Sequence, residues 1–353
     1  MKTVGILTFC INDNCGTTLQ MWALKSAIEN MGEYEVHIIP HAIVSKIENG
    51  FGGKELYEKY QERIELFDDF LKKRLGYTDE YIDNLTIENA PQYDNYIVGS
   101  DTVWNVYQTG YDKNFFLDFV GKDGKKIAYA PSIGVNNTDS LPKEIYQKYL
   151  DDFDFLSVRE NSDVEFVKQY TDKEVVGVLD PTLLLEAEKY DTIAAEIGDE
   201  DYILVYLIFD ESESISYVME LANRLSIKYG MKVIHFIYNL PEYVYGEKGK
   251  SFSFASPEKF LSYIKNAKLI LTNSFHGTTF SIIYRKAFYS VLRNNGKTKI
   301  KDLLERLQLE DRILKPTLRL EDINMKIDYS DVEKILERER KKSLDYLRKA
   351  LEN

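Results

Sequence analysis

The chain has 353 residues, 44% hydrophobic and 29% charged, which argues against wholesale disorder, a collagen-like repeat or a disulfide-stapled miniprotein. At roughly 150 residues per domain, that length fits about two domains, each large enough to bury its own core. Lys plus Arg total 45 against 58 Asp plus Glu, and the formal charge of -13 with no domain-scale basic patch argues against general nucleic acid binding.

In chain order, short apolar, β-branched runs alternate with amphipathic stretches, the pattern of βαβ units with a largely parallel sheet. Strands are expected near residues 4–9, 35–39, 95–98, 126–129, 155–158 and 175–179. Leu19, Trp22, Ala23, Ala27 and Met31 form one helical stripe, and Leu56, Tyr60, Ile64, Phe67 and Leu71 another. A polar pause after Asp180-Pro181 places the domain boundary between Leu184 and Asp201. The pattern then restarts, with strands near 203–209, 232–237, 269–271 and 288–292 and helices near 213–229, 257–265, 278–284 and 300–307. The expected units are residues 1–184, residues 185–320, and a tail, 321–353, whose charged helix packs on the body. Cys10 and Cys15 stand alone, matching neither a zinc site nor a disulfide framework, and are read as reduced thiols of a cytoplasmic protein. The N-terminal apolar run lacks the length and cleavage site of a signal peptide, and the longest apolar stretch is half what a bilayer needs, so membrane contact is at most peripheral. Tyrosine is unusually frequent, 26 residues against 2 Trp. Tyr-rich surfaces suit sugars, and a Tyr-biased proteome explains the count equally well.

In open α/β sheets ligands bind beyond the carboxyl ends of strands, which singles out four loops. In the first, Gly16 lets backbone approach a ligand and free N–H groups favour an anion, while Asn14 or Thr17 is equally a helix cap. In the second, Asp101 is placed to meet a sugar hydroxyl and Trp104, with Asn105, a sugar ring; taken alone, a cap and a core tryptophan are the plainer readings. The third offers Arg159, either a fork for carboxylate or phosphate or the partner of Glu160 or another acid. The fourth, Ser274-Phe275-His276-Gly277-Thr278, sets a histidine at a strand-to-helix junction where an anion binds and proton transfer is useful. His37, His41 and His235 are read as structural. A P-loop, a dinucleotide fingerprint and a nucleophile elbow are absent. The acid pairs at 152–154 and 199–201 do not follow strands and are read as solvated, so no metal site is expected.

Taken in order, Asn14-x-Gly16-x-x-Leu19-Gln20, Gly99-Ser100-Asp101-x-x-Trp104-Asn105, Ala128-Tyr129-Ala130-Pro131-Ser132, Ser157-Val158-Arg159-Glu160, Asp180-Pro181-Thr182 and Ser274-Phe275-His276-Gly277-Thr278 resemble the polysaccharide pyruvyl transferase family. The resemblance runs from the first strand to about Arg312; Cys15 stands where the family commonly has Tyr. It implies an α/β fold of two Rossmann-like domains facing a cleft, as in GT-B glycosyltransferases, followed by a C-terminal helix. It also implies transfer of a pyruvyl group from phosphoenolpyruvate to two hydroxyls of a sugar in a surface-polysaccharide (exopolysaccharide) precursor, forming a cyclic ketal. Phosphoenolpyruvate is then a co-substrate, and no cofactor is implied. By the same resemblance His276 transfers a proton or contacts phosphate, and Arg159 grips the donor. Ser274, Gly277, Thr278, Asn14, Gly16, Thr17 and Arg293 join donor binding, while Asp101, Trp104 and Asn105 face the acceptor. The acceptor is a sugar or a lipid-linked oligosaccharide, and in the lipid-linked case the protein works at the inner face of the membrane. A GT-B glycosyltransferase using a nucleotide sugar and a non-catalytic carbohydrate-binding protein are the alternatives.

Overall fold

The computed structural model describes residues 1–10, 14–41, 64–77, 82–135, 138–198, 201–208, 214–238, 256–292 and 297–353. They divide into two units, one of Met1–Lys46, Asp68–Leu185 and Leu336–Asn353 and one of Ile47–Phe67 and Glu186–Ile335. The first unit carries a four-stranded parallel sheet in the order β2-β1-β3-β4, formed by β1 (Lys2–Leu7), β2 (Tyr34–Ile38), β3 (Asn95–Val98) and β4 (Lys125–Ala128). A second parallel pair, β5 (Leu156–Val158) and β6 (Val175–Gly177), adjoins β4 through the bridge Ile127–Phe155. Helix α1 (Cys15–Glu29) connects β1 to β2 and is buried almost all round, because Pro181–Leu184 covers it as well as the sheet. Its apolar residues therefore run beyond one stripe, as a fully enclosed helix requires. Helix α2 (Asn161–Val167) links β5 to β6.

The second unit repeats the arrangement with β7 (Tyr202–Ile208), β8 (Lys232–Tyr238), β9 (Leu269–Thr272) and β10 (Phe288–Ser290), ordered β10-β9-β7-β8 and all parallel. Six of the seven residues of β7, Tyr-Ile-Leu-Val-Tyr-Leu-Ile, are buried, the near-continuous apolar run expected of a parallel strand covered on both faces. Helix α3 (Ser214–Tyr229) turns Val218, Leu221, Ala222 and Leu225 into the core, an i, i+3, i+4, i+7 stripe. Helices α4 (Pro257–Asn266), α5 (Phe275–Ile283) and α6 (Lys297–Arg306) follow.

Strand bounds fall within two residues of those expected from sequence, whereas α5 and α6 each begin three residues early. For α5 the cause is Ser274, whose hydroxyl caps the helix ahead of the apolar pattern. Of the second helical stripe, Phe67 and Leu71 are buried, while Leu56 and Tyr60 lie outside the described residues. The last helix, α7 (Ser330–Glu352), starts in the second unit and from Leu336 onward belongs to the first. Its later turns are held there by polar ties: Ser343 Oγ accepts Leu179 N (2.9 Å), Tyr346 Oη donates to Ala128 O (2.9 Å) and Arg340 Nε donates to Leu183 O (2.9 Å).

Cys10 and Cys15 are buried thiols without a disulfide, and the Cys10 Sγ contacts the His41 carbonyl oxygen at 2.8 Å. His41 itself is a buried clasp, its Nδ1 2.8 Å from Ile82 O and its Nε2 2.7 Å from Asp112 Oδ2. Burial opposes the charged ring most strongly, but the hydrogen bonds to Asp112 and Ile82 and the attraction of Asp112 and Asp83 together raise its pKa. Folding therefore favours the proton. The clasp contributes fully below the unfolded-state pKa of about 6.5 and is lost as pH rises through the higher folded value. The thermal midpoint of the native protein should thus fall more steeply between mildly acidic and alkaline pH than that of His41→Gln. Parallel curves for the two proteins would remove His41 from that role.

Candidate active site

The carboxyl ends of β1, β3, β4 and β5 gather a polar cluster within the first unit. Asn14 resolves as a cap: its Oδ1 accepts Gly16 N (2.9 Å) and Thr17 N (3.3 Å). Of the two readings of this loop the cap is the one seen, with the Gly16 and Thr17 amides bound to the Asn14 amide oxygen. The Thr17 hydroxyl goes elsewhere, donating to Asp101 Oδ2 at 2.7 Å.

Asp101 is half-buried and sits in the left-handed region at φ 68, which Asp tolerates better than most residues. Its Oδ1 accepts Thr102 N (2.8 Å), its carbonyl accepts Ser132 N (2.8 Å), and it bridges to Pro131. The turn into it requires Gly99, at φ +115, where a Cβ would lie 2.2 Å from the Tyr129 carbonyl oxygen. Ser100 is locked on three sides, by Gln20 Oε1 on its N–H (3.2 Å), by Thr8 Oγ1 on its carbonyl (3.0 Å) and by its own Oγ donating to Ala130 O (2.7 Å). Asp101 is thus presented on a fixed frame.

Trp104 does not face a ligand. It is fully buried, stacks on Phe116 with centroids 5.9 Å apart and an interplanar angle of 6°, and donates Nε1–H to Phe115 O at 3.1 Å. The sugar contact expected of it is corrected: a large indole with its N–H satisfied inside the core stabilises the loop from beneath. Asn105, half-buried, closes the same turn by accepting Gln108 N on Oδ1 (3.2 Å).

Arg159 takes the second of its two readings, the ion pair. It is 4% exposed and spends its fork internally, Nε to Glu160 Oε1 (2.9 Å) and Nη1 to Asp180 Oδ2 (3.0 Å). Burial works against its charge, yet Glu160, Asp180 and Asp101 more than offset that and raise its pKa. Asp180 Oδ1 also caps the turn at Pro181–Leu184, accepting Thr182 N (3.0 Å) and Thr182 Oγ1 (2.7 Å). Asp163 lies alongside, its Oδ2 accepting Ile133 N (3.1 Å). Burial, then the charge of Glu160, push its carboxyl well above the usual carboxylate range.

In the second unit β9 ends at Thr272 and α5 opens from it. Asn273 pins the end of β7, accepting Ile208 N (2.6 Å) and donating Nδ2–H to Ile208 O (2.8 Å). Ser274 Oγ accepts Gly277 N (3.2 Å), and Thr278 Oγ1 donates to Ser274 O (3.0 Å) and lies 2.8 Å from Ser290 Oγ. Ser274, Gly277 and Thr278 thus build the frame of the helix start. Their polar groups are satisfied within the fold, at 1% and 0% exposure for the two hydroxyl residues, whereas His276 keeps 7% in the first helical turn. A Cβ at Gly277 would meet Thr272 Oγ1 at 2.4 Å and Tyr206 Cδ1 at 2.7 Å. Gly277→Ala should accordingly cost about 1–3 kcal/mol in urea unfolding and displace His276 with the helix start; full stability would contradict the close approach.

Arg285 pairs with Glu333 at 2.5 Å on an exposed face, and Arg293 lies outside the described residues. Of the acid pairs, Asp152 pairs with Lys126 and Asp154 Oδ2 accepts Lys126 N (2.8 Å), while the residues at 199–200 lie outside the described residues. Sequence reasoning overlooked Thr8, Asp163 and the capping role of Asp180. Only Asp180 carried a signal, as an Asp-Pro-Thr turn.

Two successive parallel α/β units of this kind make up the GT-B class. The fold is similar to that of a UDP-GlcNAc 2-epimerase from Neisseria meningitidis bound to UDP-GlcNAc, with a TM-score of 0.54 at 10% identity over 99% of this chain and 100% of that one. It is also similar to a Listeria monocytogenes protein described as a UDP-N-acetylglucosamine 2-epimerase, with a TM-score of 0.53 at 12% identity over 98% and 90% of the two chains. At such identities the likeness concerns fold alone. No curated protein matches the chain in sequence. The sequence profile of the polysaccharide pyruvyl transferase family matches residues 14–295, most of the chain, and the protein belongs to that family.

Proposed function

We propose that the protein transfers a pyruvyl group from phosphoenolpyruvate to two hydroxyls of a sugar in a surface-polysaccharide precursor, forming a cyclic ketal. The reading rests on family membership together with the place of His276, in the first turn of a helix whose positive end suits an anion. The chemistry balances without a resident cofactor. A proton adds to the methylene carbon of the donor, making it a methyl group; one sugar oxygen bonds to the adjacent carbon and the second closes the ketal as phosphate leaves. The two hydroxyl protons supply the methyl group and the departing phosphate.

In this proposal His276 moves a proton or contacts phosphate, and Asp101, oriented by Thr17 and Thr102, meets an acceptor hydroxyl as anchor or base. Arg159 acts through Asp180 and Glu160 and keeps the strand ends around Asp101 in place. No described helix is long and apolar enough to cross a membrane. A cytoplasmic site of action, at the inner membrane face where the acceptor is lipid-linked, belongs to the proposal. The test mixes protein, phosphoenolpyruvate and candidate acceptors and looks for phosphate release with a ketal methyl signal on the sugar. Thermal stabilisation by UDP but not by phosphoenolpyruvate would favour a nucleotide-sugar transferase instead.

A further inference from the structure

The loop that leaves Asp101 buries its tryptophan and turns two tyrosines outward. Tyr107 and Tyr111 are 50% and 52% exposed, with ring centroids 5.8 Å apart at 90°. Tyr229, the other exposed tyrosine among the described residues, has the Lys228 ammonium over its ring.

The exposure of the pair belongs to a tightly bonded loop. Asn105 O accepts Thr109 N (2.9 Å), Val106 O accepts Tyr111 N (2.8 Å) and Thr109 O accepts Asp112 N (3.2 Å). Trp104 anchors one end in the core, and the His41 clasp on Asp112 holds the other. Tyr111 is kept at φ 65, a left-handed conformation that is costly for a bulky side chain and persists only where its surroundings over-determine it. The Tyr107 hydroxyl donates to the Ser140 carbonyl, which fixes the ring edge.

The residue next to Tyr107 is tied to Asp101. Asp101 Oδ1 accepts Thr102 N (2.8 Å), and Thr102 Oγ1 donates to Gln108 Oε1 (2.7 Å), the exposed residue next to Tyr107. A rigid pair of aromatic rings with an exposed side-chain amide on the neighbouring residue matches the chemistry of a pyranose, whose ring C–H face is apolar and whose rim carries hydroxyls. We propose that Tyr107 and Tyr111, with Gln108, form a platform for the neutral sugar rings of the acceptor glycan, adjacent to Asp101. This inference rests on the acceptor-side reading of Asp101 given above.

The test uses the full chain on an array of bacterial surface polysaccharides and their oligosaccharide fragments, with apparent Kd measured for each glycan bound. The Tyr107→Ala and Tyr111→Ala single variants should each weaken binding by about tenfold and the double variant more, with KM for phosphoenolpyruvate unchanged and binding retained in the Phe variants. Exposed positions of this kind tolerate truncation, and thermal midpoints are the control. Unchanged glycan binding in the double variant, or no glycan bound by the native protein, overturns the platform. If the native protein binds glycan through the tyrosines yet yields no ketal from phosphoenolpyruvate, the transferase reading fails and the platform stands.

Discussion

Replacing His276 by Gln is expected to lower turnover by about 10² to 10⁴ fold while leaving the fold intact. The helix start that carries His276 is held by other groups: Ser274 caps it, Thr278 ties it to Ser290, and Gly277 allows it to sit against Thr272 and Tyr206. Gln keeps much of the size and polarity of the imidazole but cannot exchange a proton near neutral pH, so the substitution isolates proton transfer from packing. Phosphate release and ketal methyl formation should decline together. A large rise in KM for phosphoenolpyruvate at unchanged kcat would instead assign His276 to phosphate contact alone. Turnover and KM for phosphoenolpyruvate both within about threefold of the native enzyme, on the scale of that roughly hundredfold minimum, would remove it from both roles.

Replacing Arg159 by Ala should be the most destabilising change in the first unit, at about 3–5 kcal/mol. Glu160 and Asp180 would be left buried with no cation between them, next to Asp163 and within reach of the field of Asp101. Urea unfolding measures the loss. A combined Arg159→Met, Glu160→Gln, Asp180→Asn variant should recover much of it, because the cost lies in the orphaned charges and less in the missing attraction. A guanidinium that faced solvent and a donor would cost less than about 1 kcal/mol on truncation, and that result would return Arg159 to the donor-gripping role.

The alternation of strands and helices was legible because its cause is local. Parallel strands buried on both faces, such as Tyr202–Ile208, read as unbroken apolar runs, and the stripe Val218, Leu221, Ala222, Leu225 repeats at the helical period. Helix starts were less legible where a cap came first, as at Ser274, since the capping hydroxyl precedes any periodic signal. Arg159 was legible as an ion-pair candidate through Glu160 beside it, yet Asp180 is 21 residues away and only the fold brings it within 3.0 Å. Trp104 and the tyrosines were harder still. Nothing in the sequence around Gly99 says which aromatic turns inward, because that depends on Phe116 and Phe153, which approach Trp104 from later segments.

By itself the sequence determined the class of the protein: two parallel α/β units, ordered family motifs at the strand ends, and His276 at a helix start. Each of these follows from periodicity, from short-range chemistry or from motif order, and all are properties of neighbouring residues. The tertiary structure decided which polar groups are spent. It committed Asn14, Ser274, Thr278 and Arg159 to the frame, sank Trp104 into the core and set Tyr107 and Tyr111 at the surface. Whether a donor, an acid or a ring is available to a ligand depends on partners distant in sequence, and those partners exist only once the chain has folded.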